Sequence, residues 1–293
     1  YLWYRAAAEG VPFLDKRLYF AIVFFLPSIA FWPSSIGKEA LMQLGVGGLA
    51  LASAKALNHR LLAGLLIALP AGWLVWRVRP HLLAIVVFAV GVAYLAGRVR
   101  RKVAPARVSL LRPIGMVLMV FLVFFAISEG AEFLGMEQFS LNSVETQLEE
   151  TTESTAQGGS QFDTGGGGLT PLTLPQGAVT VLLRPYPWEV ATSLQILASL
   201  EGVAIAAFIL YRLRSVALSL RRARTTPFLL YCWTLVLIYS VVFSSIANFG
   251  LLVRQRSLVL PALFVLLALD LRRARLDDAP ADGHQPAVLS GSR

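Results

Sequence analysis

The chain has 293 residues, 56% of them hydrophobic and only 15% charged, with a mean hydropathy of +0.66. Soluble globular domains carry about 25% charged residues, so this composition excludes an ordinary soluble domain. The net charge of +9 does not point to nucleic acid, because the Lys and Arg fall in short loops beside apolar segments.

Cysteine and histidine chemistry is equally sparse. Cys232 lies inside an apolar segment, and His59, His81 and His284 share no ligand spacing, so no disulfide, metal or cofactor site is expected. The chain opens Tyr1-Leu2-Trp3 with nothing resembling a signal peptide, and reads as a piece of a longer protein.

Eight apolar segments follow one another: residues 18–32 (interrupted by Pro27), 40–57, 61–76, 82–97, 114–134, 190–211, 228–247 and 257–271. Most approach the roughly 17–25 residues that span a bilayer core. Lipid offers no partner to an unpaired backbone group, so each is expected to be helical. The expected fold is an all-α, polytopic transmembrane bundle of about eight helices. Residues 1–134 form an N-terminal half with five spans and 184–275 a C-terminal half with three. Between them, residues 135–183 are acidic, then rich in Gly, Ser and Thr, and read as an external low-complexity loop. Residues 276–293 read as a disordered cytoplasmic tail.

Eight crossings sort the loops into two sets. Most of the 26 Lys and Arg fall in one set, which the positive-inside rule assigns to the cytoplasm together with both chain ends. Six cations fall on the other side: Lys38, Arg77, Arg79, Arg184, Arg254 and Arg256. They sit in short turns with Trp32, Trp76, Tyr186 and Trp188, and topology gathers those turns at one membrane face. Arg pairs phosphate bidentately, while Trp and Tyr suit sugar faces. An anionic lipid head group, such as a lipid-linked sugar pyrophosphate, fits that combination. Interfacial anchoring by Trp, Tyr and snorkelling Arg is the competing reading of the same turns.

Three carboxylates carry two readings each. Glu201 stands mid-helix, as a proton carrier or as a protonated group bonded within the bundle. Glu129 and Glu132 lie one turn apart near the outer end of the fifth span, as a base or metal ligand or as a solvated helix end. Gly45, Gly47 and Gly48 lack nucleotide-loop spacing and read as close helix packing.

Three stretches carry a resemblance. They are Leu26-Pro27-Ser28-Ile29-Ala30-Phe31-Trp32-Pro33-Ser34-Ser35-Ile36-Gly37-Lys38-Glu39, then Arg184-Pro185-Tyr186-Pro187-Trp188-Glu189, then Asn248-Phe249-Gly250 with Arg254 and Arg256. Together they resemble segments of bacterial membrane proteins from surface-polysaccharide gene clusters, a group placed loosely with glycan polymerases and polyprenyl-dependent membrane glycosyltransferases. The resemblance implies a multi-pass protein of the bacterial cytoplasmic membrane, handling a polyprenyl (pyro)phosphate-linked glycan at the outer leaflet. Other envelope-assembly proteins are implied as partners beside the bilayer. In that reading Arg77, Arg79, Arg254 and Arg256 neutralise the phosphates, Lys38 and Arg184 also bind substrate, Trp188 stacks on a sugar, and Glu189, Glu129 or Glu39 activates an acceptor hydroxyl. A transporter or flippase using Glu201, and a non-enzymatic scaffold, are the alternatives.

Overall fold

The computed structural model describes residues 1–34, 37–97, 173–244, 246 and 248–276. Their regular structure is helical, with no strand among them. In chain order the helices are α1 (Leu2–Gly10), α2 (Lys16–Phe25), α3 (Pro27–Ser34), α4 (Lys38–Leu57), α5 (Leu61–Val78) and α6 (Pro80–Ala96). Then follow α7 (Thr173–Leu183), α8 (Ser193–Tyr211), α9 (Leu213–Arg222), α10 (Pro227–Phe243), α11 (Phe249–Leu267) and α12 (Leu271–Leu276). Four of them, α4, α5, α8 and α11, are long and apolar enough to cross a membrane alone. Counting the bent pairs α2–α3 and α9–α10 as one span each raises the number to six, and α6 is apolar but shorter. The expected fifth span at 114–134, the Gly-rich stretch and the tail beyond Leu276 lie outside the described residues.

Local chemistry explains where the helices start. The Asp15 carboxylate accepts the Leu18 amide at 3.1 Å and caps α2. Thr192 and Gln195 form a reciprocal capping box on α8, and Asn248 accepts the Gly250 and Leu251 amides at the head of α11. Pro80 and Pro227 occupy first-turn positions, where a missing N–H costs nothing. Pro27 acts differently. Leu26 is extended before it, and α3 restarts at 49° to α2, so the first span is broken.

The α4 glycines do what close packing requires. A Cβ on Gly45 would stand 2.6 Å from Val75 Cγ2 and one on Gly48 2.8 Å from Ala71 Cβ, so α5 sits directly on their backbone. Gly47 faces Leu2 and Trp3 of α1. That helix, absent from the apolar segments read above, is too short and mixed to register as a span. It buries Trp3, Ala6 and Ala7 against the bundle.

The bundle has two chemically distinct ends. At one, Glu9 pairs with Lys55 at 2.9 Å and Arg60 at 3.5 Å. There Arg212 donates to the Leu267 and Leu269 carbonyls, and an antiparallel bridge joins Leu14 to Leu269. At the other end lie the heads of α4, α8 and α11 and the α5–α6 turn.

Helix α7 corrects the expected boundaries, because it occupies part of the stretch 135–183 read as loop. Its apolar run buries Val181 and Leu182, which outweighs the Gly and Pro around it. Gly177 packs on Ser244 at the far end of α10, whereas Gly202 of α8 lies against the Leu183 carbonyl. Gly202 is nine residues into α8, about 14 Å below its first turn at 1.5 Å per residue. The chain therefore enters the bundle as α7 and returns through 184–192 to Ser193. This is a helix-and-return hairpin packed within the bundle. Irregular backbone at such depth is tolerated only where protein satisfies it, which α11 does.

Candidate functional site

The site lies at the bundle end opposite Glu9, where the first turn of α4, the α5–α6 turn and the head of α11 meet. Glu39 stands in the first turn of α4, where the helix dipole favours an acid. Its Oε1 receives Arg79 Nη2 from the α5–α6 turn at 3.6 Å and Arg254 Nη1 from α11 at 3.4 Å. Both distances are long for a charge-assisted hydrogen bond, near 2.7–2.9 Å, so the carboxylate is held between the two guanidinium groups without tight commitment to either. Two cations against one anion leave an excess of positive charge.

The surroundings fix those groups. Arg79 Nη1 donates to Gln255 Oε1, and the Tyr239 hydroxyl donates to the Gln255 carbonyl at 2.7 Å. Burial pulls the Arg79 guanidinium below its ordinary value, with Tyr239 and Glu39 opposing. The Arg254 guanidinium lies over the Trp32 ring at 5.0 Å, a cation–π contact from the end of α3. Its side chain is 35% exposed, against 11% for Arg79 and Glu39, so Arg254 is the member that faces outward.

A second group occupies the returning arm of the hairpin. Arg184 pairs with Glu189 at 3.0 Å, and Glu189 also accepts the Tyr186 amide. Tyr186 and Trp188 stack with centroids 5.0 Å apart, and the Arg184 guanidinium lies 5.4 Å from the Tyr186 ring centroid. Trp188 is 79% exposed. The Arg184–Pro185 peptide is cis.

Between the two groups, deeper in the bundle, lies Arg256. It is fully buried, and its Nη1 donates to the Arg184 carbonyl at 2.9 Å and to Leu182 at 3.4 Å. Its Nη2 donates to Ala198 at 3.2 Å and lies 4.0 Å from Glu201 Oε1. Glu201 in turn accepts the Ser28 hydroxyl and amide at the head of α3. Arg256 thus satisfies the carbonyls left open where α7 ends, and Glu201 the amide left open where α3 begins.

The structure therefore divides the expected phosphate ligands. Arg79 and Arg254 share Glu39 at one site, with Lys38 exposed beside it at the start of α4. Arg77 is exposed at the end of α5, while Arg184 is paired with Glu189 in the hairpin. Arg256 is sealed and spends its donors on the Leu182, Arg184 and Ala198 carbonyls, which makes it a staple between elements in this structure. Among the carboxylates, Glu39 stands in the cationic site and Glu189 outside it, and Glu129 lies outside the described residues. Trp32, Tyr239 and Gln255 complete the site, and the last two were not foreseen. The one sequence signal for Gln255 is an amide between two cations inside an apolar run. Among the described residues no three His, Cys, Asp or Glu side chains gather as metal ligands.

Comparison with family models, with curated proteins and with solved structures finds no match to this chain.

Proposed function

We propose that this protein works in bacterial cell-envelope polysaccharide assembly, holding a polyprenyl (pyro)phosphate-linked glycan for glycosyl transfer or polymerisation. The observation that carries the reading is the convergence of Arg79 and Arg254 on Glu39, with positive charge in excess. In this reading the chain crosses the cytoplasmic membrane about eight times. Both ends of the sequence face the cytoplasm and the Glu39 site faces the outer leaflet, beside other envelope-assembly proteins.

Glu39 holds the anion position while no substrate is bound. A phosphate entering between Arg79 and Arg254 outcompetes a single carboxylate oxygen, because it offers bidentate geometry and more charge. The displaced carboxylate then accepts the proton of an acceptor hydroxyl. The acceptor oxygen bonds to the anomeric carbon, the bond from that carbon to the phosphate oxygen breaks, and polyprenyl pyrophosphate leaves. The two guanidinium groups stabilise its developing charge. The exposed Tyr186–Trp188 stack offers a flat face to the growing glycan.

The test is binding of a polyprenyl pyrophosphate to protein reconstituted in nanodiscs, beside polymer production in the host. Arg254→Ala is expected to lose both while the protein still inserts and folds. Unchanged binding and wild-type polymer would remove the reading.

One observation favours a second reading, a transporter or flippase for the same lipid-linked class. The broken span α2–α3 and the hairpin helix α7 both end at Glu201 and Arg256, and discontinuous helices meeting deep in a bundle are a transporter feature. Translocation of a labelled lipid-linked glycan in proteoliposomes, dependent on a proton gradient, separates the two.

A further inference from the structure

Helix α9 lies across the Glu9 end of the bundle, turned by 115° from α10, which begins only five residues after it ends. Its inward face is small and polar. Ser215 and Ser219 are fully buried, and the Trp233 indole donates to Ser219 at 3.1 Å. Arg212 anchors its start on the Leu267 and Leu269 carbonyls, and Arg222 reaches the Ala274 carbonyl of α12.

The outward face is organised by the helical period. Leu213 and Leu220, seven residues apart, share one line with Ala217 and are 53% and 64% exposed. Arg214 and Arg221, also seven apart, form a second exposed line about 100° further round. Arg224 and, from α12, Arg272, Arg273 and Arg275 add exposed cations at the same end. Among the described residues Asp270, just before α12, accepts the Arg272 and Arg273 amides.

A leucine line flanked by an arginine line, on a helix turned off a membrane span, matches the boundary between acyl chains and head groups. We propose that α9, with α12 beside it, is a docking surface for anionic phospholipid in the leaflet at the Glu9 end. Leu213 and Leu220 enter the acyl boundary, and Arg214, Arg221 and Arg224 take the lipid phosphates. Charge complementarity selects lipid over a protein occupant, because the cations lie level with the leucines that seat the helix. This proposal does not depend on the function of the Glu39 site.

The full chain is reconstituted in nanodiscs of phosphatidylcholine alone or mixed with phosphatidylglycerol, and thermal unfolding is followed in each. Phosphatidylglycerol is expected to raise the wild-type Tm. The combined Arg214→Gln, Arg221→Gln and Arg224→Gln variant is expected to keep the Tm seen in phosphatidylcholine and lose most of that rise. An equal rise in wild type and variant overturns the proposal. A second measurement needs no variant: added salt is expected to collapse the wild-type rise, and a salt-insensitive rise overturns it as well.

Discussion

Arg256 Nη2 stands 4.0 Å from Glu201 Oε1, with the Arg256 side chain fully buried and that of Glu201 8% exposed. The pair joins two interrupted helices, since Arg256 covers carbonyls at the end of α7 and Glu201 covers the Ser28 amide at the start of α3. Neither the broken span nor the hairpin satisfies its own backbone at that depth. Each borrows one half of a single ion pair.

Removing half of this pair is therefore expected to be costly. Glu201→Ala leaves a sealed guanidinium without its counter-charge and opens the Ser28 amide, a loss of about 3–5 kcal/mol. Glu201→Gln keeps an acceptor for Ser28 and is expected to lose less. Thermal unfolding in detergent, with limited proteolysis around residues 184–192, measures both. Equal stability of Glu201→Ala and wild type would show that the junction is held by packing alone.

Arg254 and Arg256 are expected to behave oppositely. Arg254→Ala removes a part-exposed cation paired with Glu39 and stacked on Trp32, so it should cost only about 1 kcal/mol of stability while binding of a polyprenyl pyrophosphate falls. Arg256→Ala strips three carbonyls and Glu201 of their donor and should unfold or fail to insert. Stability and ligand binding, measured on the same preparations, check the split. Comparable stability losses in the two variants would contradict it.

That split marks where the sequence stopped being readable. Apolar runs were enough to read a helical membrane bundle, and the parity of their crossings singled out six cations as candidates for one face. They could not divide the roles of Arg254 and Arg256, because residues two apart on a helix point about 200° apart. One faces the open end, the other the interior. Helix α1 was invisible for a different reason. Its Trp3 packs beside Gly47 of α4, and Ala6 and Ala7 are buried with it, a tertiary fact with no local signature. Helix α7 was hidden by the glycines around it, whose low intrinsic helicity is overridden by packing of Val181 and Leu182. Glu39 was legible as a carboxylate in a cationic turn. Its place between Arg79 and Arg254 was not.

Gly202→Ala tests the depth of the hairpin. A Cβ at that position would run into the Leu183 carbonyl, so α7 could not seat its last turn on α8. The expected loss is about 1–3 kcal/mol, as for other overpacked interiors. Thermal unfolding of Gly202→Ala beside wild type in detergent measures it. Unchanged stability would mean that the hairpin does not reach this level of α8.

Glu39→Gln gives the sharpest separation of binding from chemistry. The substitution removes the anion that occupies the gap between Arg79 and Arg254, so a phosphate no longer has to displace a charge. Affinity for a polyprenyl pyrophosphate is expected to rise. The amide cannot accept a proton from an acceptor hydroxyl, so polymer synthesis is expected to fall by about 10²–10⁴-fold, the usual scale for a lost general base. Binding in nanodiscs and glycan production in the host give the two readings independently. Tighter binding with intact synthesis would keep the phosphate site and move the base to a carboxylate other than Glu39. Weaker binding would mean that Glu39 organises the two arginines and does not merely occupy their ligand position.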